Sequence, residues 1–139
     1  MSKFIILVVD DVIEAMDIKR NLESMGYSVP ETASSGEEAL QKLSEFRPDL
    51  ILMDIILCSG MDSIETIDVI KNQYKIPLIY LTPYSETETI EMAKLTEPYA
   101  YLIKPFDSNE LKNSIEICSL QTRNGNKIER GTGKFQKFI

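Results

Sequence analysis

The sequence contains no histidine. No group of this chain can therefore serve as an imidazole base, an imidazole metal ligand or a phosphohistidine carrier. Any step that needs such a group must borrow it from another polypeptide. Cysteine is scarce as well: Cys58 and Cys118 are the two present, too few for a disulfide framework and no sign of an oxidising compartment. The apolar run near the amino terminus, Phe4 to Val9, ends in carboxylates and is too short and wrongly flanked for a signal peptide or a membrane span. A cytoplasmic location is expected. No strand-like run is followed by Gly-x-Gly-x-x-Gly or a Walker lysine motif, so a Rossmann or P-loop reading lacks its phosphate cradle. Positive charge is also short, with 15 Lys and Arg against 22 Asp and Glu and a net charge of −7. Direct binding of nucleic acid or anionic lipid is disfavoured by such a surface.

What is present fits one soluble α/β domain. The 139 residues are 43% hydrophobic and 27% charged, too apolar for disorder and enough for a single core. The runs Phe4 to Val9, Asp49 to Met53, Pro77 to Leu81 and Tyr99 to Ile103 are nearly continuous in apolar residues, as expected of parallel strands covered on both faces. Tyr27 to Ala33 is a weaker strand whose Pro30 lacks a ladder donor, which places it at a sheet edge.

Helical spacing fills the intervals. Ala15, Ile18, Leu22 and Met25 form one stripe that Gly26 terminates; Ala39, Leu43 and Phe46 form a second; Ile64, Ile67, Ile70 and Tyr74 form a third. Ser35 with Glu38, Ser85 with Glu88 and Asp107 with Glu110 have capping-box spacing, and the last helix is expected to bury Leu111, Ile115 and Cys118. Strand and helix alternate five times. Right-handed crossovers make this a doubly wound parallel sheet, and the edge position of the second strand favours the order 2-1-3-4-5. Residues 1–120 are expected to form this unit. Residues 121–139 hold Arg123, Lys127, Arg130, Lys134 and Lys137 against Glu129 alone and show no helical stripe; they read as a linker or extension.

Ligands of an open parallel sheet bind beyond the carboxyl ends of its strands. Asp10 and Asp11 follow the first strand, Asp54 the third, Thr82 the fourth and Lys104 the fifth. Each has an ordinary explanation: a helix cap for Asp10 or Asp11, a turn for Asp54 or Thr82, a solvated charge for Lys104. Those explanations leave unaccounted why all the polar groups fall on one edge. Gathered carboxylates repel unless a cation lies among them, and a hard oxygen-liganded ion such as Mg²⁺ suits them. Asp54 would then be an oxygen nucleophile toward a phosphoryl group, with Lys104 and the Thr82 hydroxyl as donors to its oxygens.

The segments Val-Val-Asp10-Asp11, Ala33 to Leu40, Pro48 to Asp54, Tyr80-Leu-Thr82 and Tyr101 to Phe106 together resemble the receiver domain of two-component response regulators, a CheY-like family, from about Lys3 to Leu120. The resemblance implies a flavodoxin-like fold. It makes Asp54 the phosphoacceptor, puts Asp10, Asp11, Asp54 and the main-chain carbonyl of Ile56 around Mg²⁺, and assigns phosphate recognition to Lys104 and Thr82. The Lys104–Pro105 peptide would be cis. Tyr101 matches an aromatic that changes rotamer with the hydroxyl residue, repacking a surface made by the fourth helix, fifth strand and fifth helix, to which Met92 and Leu95 are candidate contributors. A sensor histidine kinase is the implied donor, a downstream protein reading that surface the implied partner, and a homodimer is allowed.

One departure bears on the chemistry: Pro83 follows Thr82 and has no N–H to offer a phosphoryl oxygen. Slow phosphorylation and slow loss of phosphate are expected, and a pseudo-receiver that binds proteins without being phosphorylated is the alternative. A dehalogenase-type phosphatase is disfavoured because Ile56 stands where a second Asp is required. No enzymatic turnover beyond its own phosphorylation and dephosphorylation is expected.

Overall fold

The apolar runs become buried strands because side chains alternate across a sheet with helices on both faces. In the computed structural model residues 3–55, 61–82, 98–123 and 136–138 are described. They form β1 (Ile6–Val9), α1 (Val12–Ser24), β2 (Thr32–Ala33), α2 (Gly36–Leu43), β3 (Leu50–Asp54), α3 (Met61–Val69), β4 (Leu78–Thr82), β5 (Ala100–Ile103), α4 (Ser108–Arg123) and β6 (Gln136–Phe138). Here α4 is the last of the five expected helices. The helix expected to open at Ser85 and Glu88, with Met92 and Leu95, lies outside the described residues, as do Ile56, Cys58, Pro83 and Tyr84.

The sheet runs β2-β1-β3-β4-β5-β6, and every pairing is parallel. The five expected strands stand in the expected order. One cluster joins Ile6 and Val8 of β1, Leu50 and Leu52 of β3, Ile79 and Leu81 of β4, and Ala100 and Leu102 of β5 to Ala15, Ile18 and Leu22 of α1 and Leu111, Ile115 and Cys118 of α4. The alternate residues Leu7, Val9, Ile51, Met53, Leu78, Tyr80 and Tyr101 join Ala39 and Leu43 of α2 and Ile67 of α3 in a second cluster. Burying each of the larger side chains contributes about 1.5–3 kcal/mol.

Local chemistry ends the helices where the stripes do. Gly26, at φ 100°, lets the Tyr27 N–H reach the Leu22 carbonyl and its own N–H the Glu23 carbonyl, a left-handed closure of α1. Asp107 and Glu110 form a reciprocal box at the start of α4: the Glu110 N–H donates to Asp107 at 2.8 Å and the Asp107 N–H to Glu110 at 3.0 Å. At α2 the box is offset. Ser35 accepts from the Glu38 N–H, but the Glu38 carboxylate takes the N–H and hydroxyl of Ser34 rather than the Ser35 N–H.

Three differences from expectation appear. Pro30 breaks the edge strand into an isolated bridge at Ser28 and the two-residue β2. The third helix widens into a π-turn at Ile70–Tyr74, closed by Lys75 at φ 58°. The sheet also has six strands rather than five: Gln136, Lys137 and Phe138 pair with Ala100, Tyr101 and Leu102. Without them β5 would present an unpaired ladder edge, and the parallel direction follows from a crossover through α4.

Candidate functional site

The order reversal that makes a crevice lies between β1 and β3, each of which has β4 or β2 on its other side. Asp10 leaves β1 there, Asp54 is the last residue of β3, Thr82 the last of β4, and Lys104 follows β5. The Lys104 N–H donates to the Thr82 carbonyl at 2.6 Å, so the ends of β4 and β5 are tied and the lysine side chain starts from a fixed point. The Lys104–Pro105 peptide is cis.

From that point the ammonium crosses the rim. Lys104 Nζ lies 2.9 Å from Asp10 Oδ2 and 2.9 Å from Asp54 Oδ2, and it also hydrogen-bonds Glu14 Oε1. Residues 94 and 50 positions away in sequence are thus joined by one cation. Asp10 is 1% exposed, and burial is the main reason its carboxyl is pushed up to about 6, against the opposing pull of Lys104 and the Asp11 N–H. Burial alone would push Lys104 down. The bonds to Glu14, Asp10 and Asp54 outweigh it and hold the ammonium above the usual lysine range, so it stays charged. Thr82 is fully buried, and Tyr101 is buried in the cluster that also holds Met53 and Tyr80.

The structure brings together Asp10, Asp54 and Lys104, and places Asp11 beside them in a second capacity. Asp11 is the N-cap of α1, its carboxylate accepting the Glu14 N–H at 2.9 Å. Oxygens of Asp10, Asp11 and Glu14 all lie within 4.8 Å of one another. An all-oxygen carboxylate set matches the hard donors that Mg²⁺ takes, and one ammonium does not balance the four carboxylates at this rim. The residues therefore fit such an ion. The fourth expected ligand, the Ile56 carbonyl, lies outside the described residues.

Glu14 was not anticipated. Its signal was present: it stands four residues after Asp10 and three after Asp11, the spacing that puts side chains on one face as a helix begins.

A doubly wound sheet whose carboxyl rim sets buried carboxylates around one lysine defines a receiver-type signalling domain. The chain belongs to the response regulator receiver domain family, whose model matches residues 5–116. It is 28% identical over 125 residues to the transcriptional regulatory protein PdtaR of Mycobacterium tuberculosis (strain ATCC 25618 / H37Rv), covering 90% of this chain and 60% of that one. To the transcriptional regulatory protein CrdR of Helicobacter pylori it is 36% identical over 118 residues, covering 84% and 54%. The chain thus spans little more than half the length of these relatives. Among solved structures it is similar to the signal receiver domain of a modulated diguanylate cyclase from Desulfovibrio desulfuricans G20, with TM-score 0.77, 33% identity and coverage of 88% and 98%. It is also similar to a CheY-like receiver domain protein from Methanospirillum hungatei JF-1, with TM-score 0.73, 29% identity and coverage of 89% and 100%. Receiver domains are signalling modules rather than enzymes. Among the described residues no helix is long and apolar enough to cross a membrane.

Proposed function

We propose that this chain is the phosphoacceptor switch of a two-component system, taking a phosphoryl group onto Asp54 from a histidine kinase in trans. The observation that carries this reading is the Lys104 ammonium held 2.9 Å from both Asp10 and Asp54 on the sheet's carboxyl rim. Asp10, Asp11, Asp54 and the main-chain carbonyl of Ile56 would hold Mg²⁺, which when bound offsets charge on the phosphoryl oxygens. The absence of histidine makes the donor imidazole another protein's. An oxygen of Asp54 attacks phosphorus; the new O–P bond forms as the P–N bond to the kinase imidazole breaks. The ring nitrogen keeps that electron pair and takes a proton. Lys104 and the Thr82 hydroxyl donate to the incoming oxygens.

Thr82 moving toward the new charge would open space for Tyr101 to repack, biasing a two-state surface made by residues 85–97, β5 and α4. A downstream protein, or a second copy of the chain, would read that surface. Pro83 withholds a backbone donor from the phosphoryl group, so both gain and loss of phosphate are slow. Residues 1–120 act as the receiver and 121–139 as an extension without a core of its own. The protein works in the cytoplasm, through protein partners rather than by touching nucleic acid itself.

Intact mass after incubation with acetyl phosphate tests the reading. Wild type gains one phosphoryl mass with Mg²⁺ and none without it, and Asp54→Asn gains none under either condition. Labelling of Asp54→Asn to the wild-type extent refutes the acceptor. A wild type that stays unlabelled throughout leaves an interaction module in its place.

A further inference from the structure

A lysine ammonium has three N–H donors, and Lys104 gives one to each of three carboxylates: Asp10, Asp54 and Glu14. None is left for a phosphoryl oxygen. For Lys104 to meet a phosphoryl group on Asp54, one of these bonds must open.

The three partners differ in how readily they can be released. The side chain of Asp10 is 1% exposed, so losing the lysine would leave a buried charge without that cation; Asp54, 12% exposed, bears the phosphoryl group itself, so the lysine stays beside it whichever oxygen it meets. The side chain of Glu14 is 49% exposed, so water takes over its hydrogen bonds as soon as the lysine departs. Glu14 is also placed by the helix itself: its N–H is capped by Asp11 at 2.9 Å, which holds the first turn of α1 beside the rim.

We propose that Glu14 is a positioning residue that holds the third N–H of Lys104 and competes with a phosphoryl oxygen for it, so that its removal tightens the phosphorylated-like state. This rests on the receiver reading given above. Glu14 plays a second part through charge alone, since its oxygen lies within 4.8 Å of those of Asp10 and Asp11 and adds to the attraction for a divalent ion. The two parts pull in opposite directions, which separates them experimentally.

The test uses the whole chain, with Mg²⁺ alone and then beryllofluoride at saturating Mg²⁺ as probes, affinities being measured by titration. Glu14→Ala is expected to weaken Mg²⁺ binding about threefold through the lost charge and to tighten beryllofluoride about threefold, the scale of one partly exposed ion pair. Glu14→Asp keeps the charge on a side chain one methylene shorter, which draws the carboxylate back from Lys104. It should hold Mg²⁺ nearly as wild type does and still bind beryllofluoride more tightly. The proposal is overturned if Glu14→Ala binds beryllofluoride no tighter than wild type, or if Glu14→Asp matches wild type for both probes. A wild type that takes no beryllofluoride with Mg²⁺ present defeats the receiver reading itself, a result distinct from either.

Discussion

The two ends of the central strands use the same residue types to opposite purposes. At the amino end, the Asp49 carboxylate is exposed and accepts the Ile5 N–H at 2.8 Å, while Phe4 and Tyr27 meet edge to face with ring centroids 6.2 Å apart. The ionisable groups buried there, Tyr99 and Cys118, are kept neutral: burial pushes both up to about 12, with smaller pushes from Cys118 on Tyr99 and from Asp49 on Cys118. At the carboxyl end, Asp10 is buried as an acid poised near 6, and Lys104 is shared among three carboxylates. One end leaves no charge wanting; the other leaves negative charge in excess. The proposed chemistry lies where the imbalance is, because uncompensated carboxylates gain from a divalent ion.

Three substitutions or conditions sharpen that contrast. The largest effect is expected from Asp10→Asn, which keeps the shape and removes a buried charge. Mg²⁺ affinity should fall about tenfold or more, while the metal-free protein melts at a higher temperature because the rim carboxylates repel less. Titration calorimetry and thermal melting check both. Unchanged Mg²⁺ affinity would remove Asp10 from the metal site.

The amino end predicts a loss of stability in alkali. Cys118 and Tyr99 are acids whose folded values lie above their ordinary values of 9.0 and 10.0. The unfolded chain therefore releases protons that the folded chain keeps. Their contribution is whole below about pH 9 and declines as pH rises toward 12, by up to ~1.4 kcal/mol per pH unit for each group. Cys118→Ala should flatten the first part of this decline in melts run from pH 8 to 10.5, and an identical slope would contradict it. The smallest effect is expected from Asp49→Ala, which removes one exposed bond to a backbone N–H and costs about 1 kcal/mol in urea unfolding. Phosphorylation should be untouched. A comparable loss of labelling would mean the two ends are not independent.

Much of this is legible in the sequence. Continuous apolar runs such as Leu50 to Met53 can be satisfied only by a strand covered on both faces, and the stripes at Ala15, Ile18 and Leu22 or at Leu111, Ile115 and Cys118 can be satisfied only by helices on those faces. Once strand order follows, the convergence of Asp10, Asp54 and Lys104 follows too. Other features depend on competition that spacing does not reveal. Which aspartate caps α1 was open between Asp10 and Asp11, and was settled by which carboxylate reaches the Glu14 N–H. Glu38 prefers both donors of Ser34 to the single N–H of a standard box. The π-turn at Ile70–Tyr74 and the three-residue β6 are too short to impose a period. Glu14 does not stand out in the sequence, because a glutamate in the first turn of a helix is accounted for by the helix dipole alone.

A crystal structure with Mg²⁺ and beryllofluoride bound tests the central claim most directly. The account predicts the ion among Asp10, Asp11 and Asp54, beryllium on an Asp54 oxygen, and Lys104 turned from Glu14 to a fluorine. An empty rim, with Asp54 still bonded to Lys104 as in the free chain, would contradict it.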